Sequence, residues 1–191
     1  LLESRGLGDV YKRQILLDAM NEGLDEFFEG LKMCLDKLYT FGVKQVPTKD
    51  EVISAQGCKW EVFKALAEKL NKRELTGHAA RDAIELVMSS ATAEQWNGFY
   101  RRILIKDLRC GVSEKTVNSV AKKNKYGKYM VPVFTCQLAH DSANHEKKLV
   151  GEKMLEVKLD GVRVVTIVYP DGKVDMFSRN GKEFTNFGHI Q

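Results

Sequence analysis

Apolar residues return at three- and four-residue intervals through the first two thirds of the chain, and at alternate positions near its end. From Ile15 to about Phe41, Leu24, Phe27, Phe28, Leu31, Leu35 and Leu38 share one helical face, and Gly23 and Gly30 mark where that helix breaks or bends. The stretch GVKQVPTKDE reads as a loop, with Pro47 and then Thr48 or Asp50 as the cap of the next helix. Trp60, Phe63, Leu66, Ala67 and Leu70 predict a second helix, and Ala80, Ala83, Ile84 and Val87 a third over Ala79 to Met88. Thr92 with Gln95 three positions on is a capping box, opening a helix that runs to about Leu108. After a break at Gly111, Ser113 caps a short fifth helix.

The period changes after KNKYGKYMVP, the best linker candidate, which ends at Pro132. The runs MLEVK, VRVVTIVY and KVDMFS are rich in β-branched residues. They are split by Asp160-Gly161 and by Tyr169-Pro170-Asp171-Gly172-Lys173, a good hairpin turn. An antiparallel sheet is expected, with Lys158 at the end of one strand and Gly161 in the tight connection. The class is therefore α+β: helical over 15–123, a linker over 124–133, and the start of a β-rich domain over 134–191.

Both ends read as unnatural. The opening LLESRGLGDVYKRQ has no usable periodicity, and DVYKRQ resembles an in-frame translation of a sequencing-library adapter. Residues 1–14 are expected to be a non-native leader. FTNFGHIQ stops just after a strand and turn pattern, so the expectation is an internal piece of a longer protein.

Composition narrows the classes. With 43% hydrophobic and 29% charged residues the chain is an ordinary globular sequence, and no apolar run approaches the ~20 residues needed to cross a bilayer. Cys34, Cys58, Cys110 and Cys136 are scattered, which suggests four free thiols in a reducing cytoplasm rather than zinc or a disulfide framework. His140 and His145 read as surface histidines. Net charge is +4, unevenly spread. Residues 101–130 hold nine basic side chains against Asp107 and Glu114, a net of +7, whereas residues 1–70 are net −2. A basic block of that length either attracts phosphates or forms a solvated helix face.

The chemistry-bearing stretch is EVKLDGVRVV, 156–165. Lys158-Leu159-Asp160-Gly161-Val162-Arg163 resembles the KxDGxR signature of nucleotidyltransferases: ATP-dependent DNA ligases, RNA ligases and mRNA capping enzymes. Ser178-Arg179-Asn180-Gly181 resembles their second signature, at the family's spacing. The resemblance implies that Lys158 attacks the α-phosphorus of ATP, giving lysyl-AMP and pyrophosphate. An attacking amine must be unprotonated, which desolvation and nearby cations favour. Arg163 and Arg179 would supply that field and hold phosphate or ribose oxygens, and Gly161 would let the backbone approach the nucleotide. Glu156 would sit near the adenine, and Asp160 would orient the lysine and the turn. A surface ion pair is the alternative for Lys158 with Asp160, and a cross-strand surface partner for Glu156.

RELTGHAARDAI and RRILIKDLRCGVSEKTVN resemble the helical DNA-binding domain of phage-type and eukaryotic-like ATP-dependent DNA ligases, and FTCQLAHD, more loosely, the entry to their ATP-grasp-like adenylation domain. Motifs carry the resemblance over 45–191; helical character alone carries it over 15–44. It implies helix starts at Thr76-Gly77 and at Gly111 to Ser113 that face DNA phosphates, helped by Lys72, Arg73, Arg109 and Lys115. The partner implied is nicked duplex DNA, bound without sequence preference by a monomer in the cytoplasm, or in the nucleus of a eukaryote. The cofactors implied are ATP and Mg2+, with metal ligands expected beyond residue 191. The alternatives are an RNA ligase, or a DNA clamp attached to an inactive nucleotidyltransferase remnant.

Overall fold

A computed structural model describes residues 8–50, 56–158, 160–184 and 186. The expected leader over 1–7, Leu159 of the signature, and 185 and 187–191 of the C-terminal stretch lie outside the described residues. The chain divides into two compact units, Leu1–Val133 and Phe134–Gln191. It is mostly helical with a two-stranded antiparallel sheet, an α+β chain.

The first unit is built from α1 (Asp9–Asn21), α2 (Asp25–Leu35), α3 (Trp60–Asn71), α4 (Gly77–Ser90), α5 (Ala93–Gln95), α6 (Arg101–Leu104) and α7 (Glu114–Lys123). The helix expected over 15–41 is two helices, because Gly23 adopts a left-handed φ of 71° and ends α1. α1 starts at Asp9 and so includes part of the expected leader, yet its buried residues are Leu16, Ala19 and Met20. α2 stops at Leu35, leaving Leu38 46% exposed. Gly30 bends nothing. A Cβ there would meet Ile103 Cδ1 and Phe99 Cζ at 2.7 Å, so its missing side chain lets another helix approach α2.

All five apolar residues predicted for α3 are buried, and Ala80, Ile84 and Val87 bury the inner face of α4. Neither Thr48 nor Asp50 caps α3, which opens at Trp60 behind Lys59. Instead the 46–49 loop is pinned to the helix after the capping box. Trp96 Nε1 donates to Pro47 O at 2.9 Å, Arg101 Nε donates to Val46 O at 2.8 Å, and Lys49 and Asn97 exchange two hydrogen bonds. The capping box itself forms: Thr92 accepts from Gln95 N–H at 3.1 Å, and Gln95 Oε1 accepts from Thr92 N–H at 3.2 Å.

Between α5 and α6, Trp96–Tyr100 forms a turn wider than an α-helical one, with Arg101 N–H donating to Trp96 O. Trp96 and Tyr100 both point inward, Tyr100 stacking on Phe63 at 4.4 Å between ring centroids and donating its hydroxyl to Cys58 O at 2.9 Å. Burial pushes the Tyr100 phenol up to about 12, so the hydroxyl remains a neutral donor. The helix expected to reach Leu108 ends at Leu104, and Lys106 turns left-handed at φ 56°.

Residues 124–133, expected as a linker, pack on this unit. Tyr129 and Val131 are 2% exposed, and Tyr129 stacks on Phe28 at 4.2 Å. Asn118 exchanges two hydrogen bonds with the Val131 backbone.

In the second unit β1 (Val164–Val168) pairs antiparallel with β2 (Val174–Ser178), from Val164 opposite Ser178 to Val168 opposite Val174. The expected turn joins them, with Gly172 at φ 85° and its N–H donating to Tyr169 O at 2.9 Å. Past β2 the chain turns back, and Phe177 bridges Glu183. MLEVK is not a strand: no regular structure is recorded over 151–158, and Lys158 does not end a strand. An alternating pattern needs a neighbouring strand to satisfy its backbone, and among the described residues this segment has none. Met154, Leu155 and Val157 accordingly stand 85%, 98% and 85% exposed.

Candidate nucleotidyl-transfer site and nucleic-acid surface

The second signature is the spelling of a turn. Gly181 N–H donates to Ser178 O at 2.9 Å, Ser178 N–H donates to Lys182 O at 2.7 Å, and Ser178 Oγ accepts from Lys182 N–H at 3.0 Å. Gly181 takes φ 87°, a conformation that strains any residue with a Cβ. Serine and glycine thus close the turn, and Arg179 and Asn180 form its tip.

The pairing of Val164 with Ser178 brings the two signatures to one end of the hairpin. Arg163 and Arg179 are the next residues beyond that last rung. An open cleft of about 950 Å³ is lined there by Lys158, Asp160, Gly161 and Arg163 from the first signature and Ser178, Arg179 and Asn180 from the second. Leu138 and Ala139, from the FTCQLAHD stretch, line it too. Of the expected nucleotide-site residues, Glu156 is exposed and does not line the cleft. Among the described residues beyond its chain neighbours, none comes within 4 Å of a Cβ built on Gly161. His140 and His145 lie edge to face, their centroids 5.1 Å apart. Among the described residues no group of three His, Cys, Asp or Glu side chains could hold a metal ion.

The nucleic-acid candidates fall into two clusters of the helical unit. At the α3–α4 corner, Lys72 is the exposed C-cap of α3, Arg73 is left-handed at φ 64°, and Thr76 precedes α4. Among the described residues no side chain caps the start of α4 or comes within 4 Å of a Cβ built on Gly77, which leaves the first N–H groups of the helix available. Arg73 is exposed, and its guanidinium lies over Gly42.

The second cluster lies at the start of α7, where the expected Ser113 cap forms. Ser113 Oγ accepts from Thr116 N–H at 3.3 Å, so α7 caps itself. Arg109 pairs with Asp107 at 3.3 Å, and Lys12 Nζ lies 3.5 Å from Gly111 O. Lys115 is exposed.

The basic block is also partly structural. Lys106 Nζ donates to the carbonyls of Met33, Asp36 and Tyr39 at the end of α2, and burial lowers its pKa from the ordinary lysine value. Lys128 pairs with Asp25 at 2.9 Å, and Arg101 holds the 46–49 loop. Lys115, Lys122, Lys123 and Lys125 remain as its exposed face on α7 and just beyond. Sequence reasoning missed Lys49, whose Nζ donates to Met88, Ser89 and Ala91 carbonyls at 2.8, 2.8 and 2.6 Å. Its place in a loop far from α4 gave no signal.

Fold and site together define an α+β chain in which a helical unit precedes a hairpin carrying a lysine- and arginine-lined cleft. No family model and no curated protein matches the sequence. Among solved structures the chain is similar to Pmar-Lig_Pre., at 62% identity and a TM-score of 0.82, over 96% of this chain and 41% of that one. It is similar to Pmar-Lig_PreS3 at 61% identity and a TM-score of 0.81, over 97% of this chain and 42% of that one. The chain therefore spans about two fifths of the structures it matches, and the names of both carry the abbreviation Lig. That abbreviation hints at a ligase. Among the described residues no helix is long and apolar enough to cross a membrane.

Proposed function

We propose that the chain is the helical DNA-binding domain and the start of the adenylation domain of an ATP-dependent DNA ligase. The observation that carries this reading is the single cleft holding Lys158, Asp160, Gly161 and Arg163 beside Ser178 and Arg179. Similarity to structures named as Lig supports the ligase class, and the helical unit favours DNA over capping substrates.

In the proposed reaction Lys158 Nζ, having lost its proton, attacks the α-phosphorus of ATP. A P–N bond forms, the bond from the α-phosphorus to the bridging oxygen breaks, and pyrophosphate leaves. The DNA 5′-phosphate then takes the AMP from the lysine, and the 3′-hydroxyl displaces it to seal the nick. Arg163 and Arg179 stabilise the charge that builds on the phosphate oxygens. Magnesium would assist pyrophosphate departure from carboxylates contributed outside this chain. The α4 start and the exposed lysines of the basic block would hold the duplex by its backbone.

The test is covalent labelling of the longer protein with α-labelled ATP and magnesium. Wild type is expected to label and Lys158→Ala to lose the label completely with an unchanged melting temperature. A labelled Lys158→Ala protein would show that another residue is the nucleophile. Nicked DNA and nicked RNA, supplied in parallel, separate a DNA from an RNA ligase.

A further inference from the structure

Arg163 and Arg179 are like charges just beyond the last rung of a two-stranded ladder, and among the described residues of the hairpin no side chain bonds either guanidinium. One extended segment, upstream of both, touches each. Phe134 packs on the signature turn: a Cβ on Gly181 would lie 2.5 Å from Phe134 Cβ and Cγ, and the Phe134 and Phe177 rings are 5.6 Å apart. Two residues on, the Cys136 thiol faces Arg179 O at 3.7 Å and Arg163 Nη1 at 4.0 Å. Gln137 O accepts from the same Nη1 at 2.6 Å. Leu138 and Ala139 then enter the cleft wall.

We propose that residues 134–137 are a positioning strip for the signature pair, anchored by Phe134 and joined to both arginines at Cys136 and Gln137. This deepens the nucleotidyltransferase reading and rests on it for the identity of the ligand. The strip ties one guanidinium nitrogen of Arg163 to a main-chain carbonyl and leaves the remaining donors for the cleft. Gly181 serves the same contact, because its missing side chain is what allows Phe134 to lie on the turn. The strip touches no reacting atom; it sets where the arginines stand. Displacements of about 1 Å at such groups cost up to about a hundredfold in function.

Cys136 allows the contact to be opened without mutation. It is half-buried, while Cys34, Cys58 and Cys110 are buried, and burial pushes the Cys34 thiol up to about 11. The thiol gives its proton to buffer and the thiolate attacks the sulfenyl sulfur of methyl methanethiosulfonate; the S–S bond to the methyl disulfide forms, the bond to the sulfonyl sulfur breaks, methanesulfinate leaves, and dithiothreitol reverses the change. On the 191-residue chain, modification is expected to shift the side-chain Nε–H resonances of Arg163 and Arg179 and to weaken ATP binding about tenfold. Both effects should reverse with dithiothreitol and be absent in Cys136→Ser. Phe134→Ala should reproduce the weakening and Phe134→Tyr should not. Unmoved arginine resonances in a chain fully modified at Cys136 would overturn the proposal. Shifted resonances with no labelling of the longer protein by α-labelled ATP would uphold the strip and sink the nucleotide reading; ATP binding that ignores both modification and Phe134→Ala would overturn the strip and leave that reading standing.

Discussion

The two units hold themselves together in different ways. Among the described residues of the helical unit, thirty buried side chains form one contiguous core, from Leu16 on α1 to Val131 past α7. Among the described residues of the second unit, Met176 is the single buried hydrophobic side chain, and Met154, Leu155, Val157 and Val162 are more than four-fifths exposed. Helices close their backbone hydrogen bonds locally and need a partner only for one face, so a set of them suffices for a core. A two-stranded ribbon satisfies one edge of each strand and buries almost nothing, so its apolar side chains remain exposed. Candidate site and core are thus divided: the signature cleft lies in the unit with the smaller core among the described residues.

The largest effect that would test this division is Phe63→Ala. Phe63 is fully buried and stacked on Tyr100, so its truncation is expected to destabilise the helical unit by about 3–5 kcal/mol in a denaturant titration followed by far-ultraviolet circular dichroism. Hairpin amides over 164–178 should keep their exchange rates. Equal acceleration of hairpin and helical exchange would mean that the two units unfold as one.

A smaller effect is expected at Lys49, whose ammonium holds three carbonyls at the end of α4. Lys49→Met keeps most of the stem and removes the charge-assisted bonds, at about 1.5–3 kcal/mol. The loss should appear as faster exchange near Ala91, again without change in the hairpin. Thr92→Ala, which removes the cap from α5, should cost about 1 kcal/mol by the same titration. A loss as large as that at Phe63 would show that the cap fixes the 46–49 loop as well as the helix.

The residues that could be read from sequence are those whose causes are local. α3, α4, the Thr92 to Gln95 box and the Gly172 turn follow from periodicity or from side chains within four residues, and all were expected in place. The widened turn at Trp96–Tyr100, the lysines that end α2 and α4, and the packing of Tyr129 depend on groups far along the chain, which no local pattern reports. The 151–158 stretch failed for a related reason. Alternation predicts a strand only if a partner strand stands beside it. Both signatures could be read because each is a local spelling, and the structure brings Lys158, Asp160, Gly161, Arg163, Ser178 and Arg179 to one cleft while leaving Glu156 outside it. What stayed hidden was the reason for Gly181, since the ring it accommodates belongs to Phe134.

The smallest expected effect lies at Asp25, which ties the chain past α7 to the start of α2. Its carboxylate accepts from Tyr129 Oη at 2.7 Å and from Lys128 Nζ at 2.9 Å, and those two hydrogen bonds, Tyr129 first, lower its pKa from the ordinary aspartate value. A depressed carboxyl pKa contributes stability that is complete above the unfolded value near 3.8 and disappears as pH falls through the lower folded value. Melting temperature should therefore decline between pH 5 and pH 2 more steeply in wild type than in Asp25→Asn, and at pH 7 the variant should melt slightly below wild type. The carboxylate is exposed, so added salt should narrow the difference. Parallel acid profiles would show that Tyr129 is held by its stack on Phe28 alone, and that residues 124–133 dock on the helical unit through packing rather than charge.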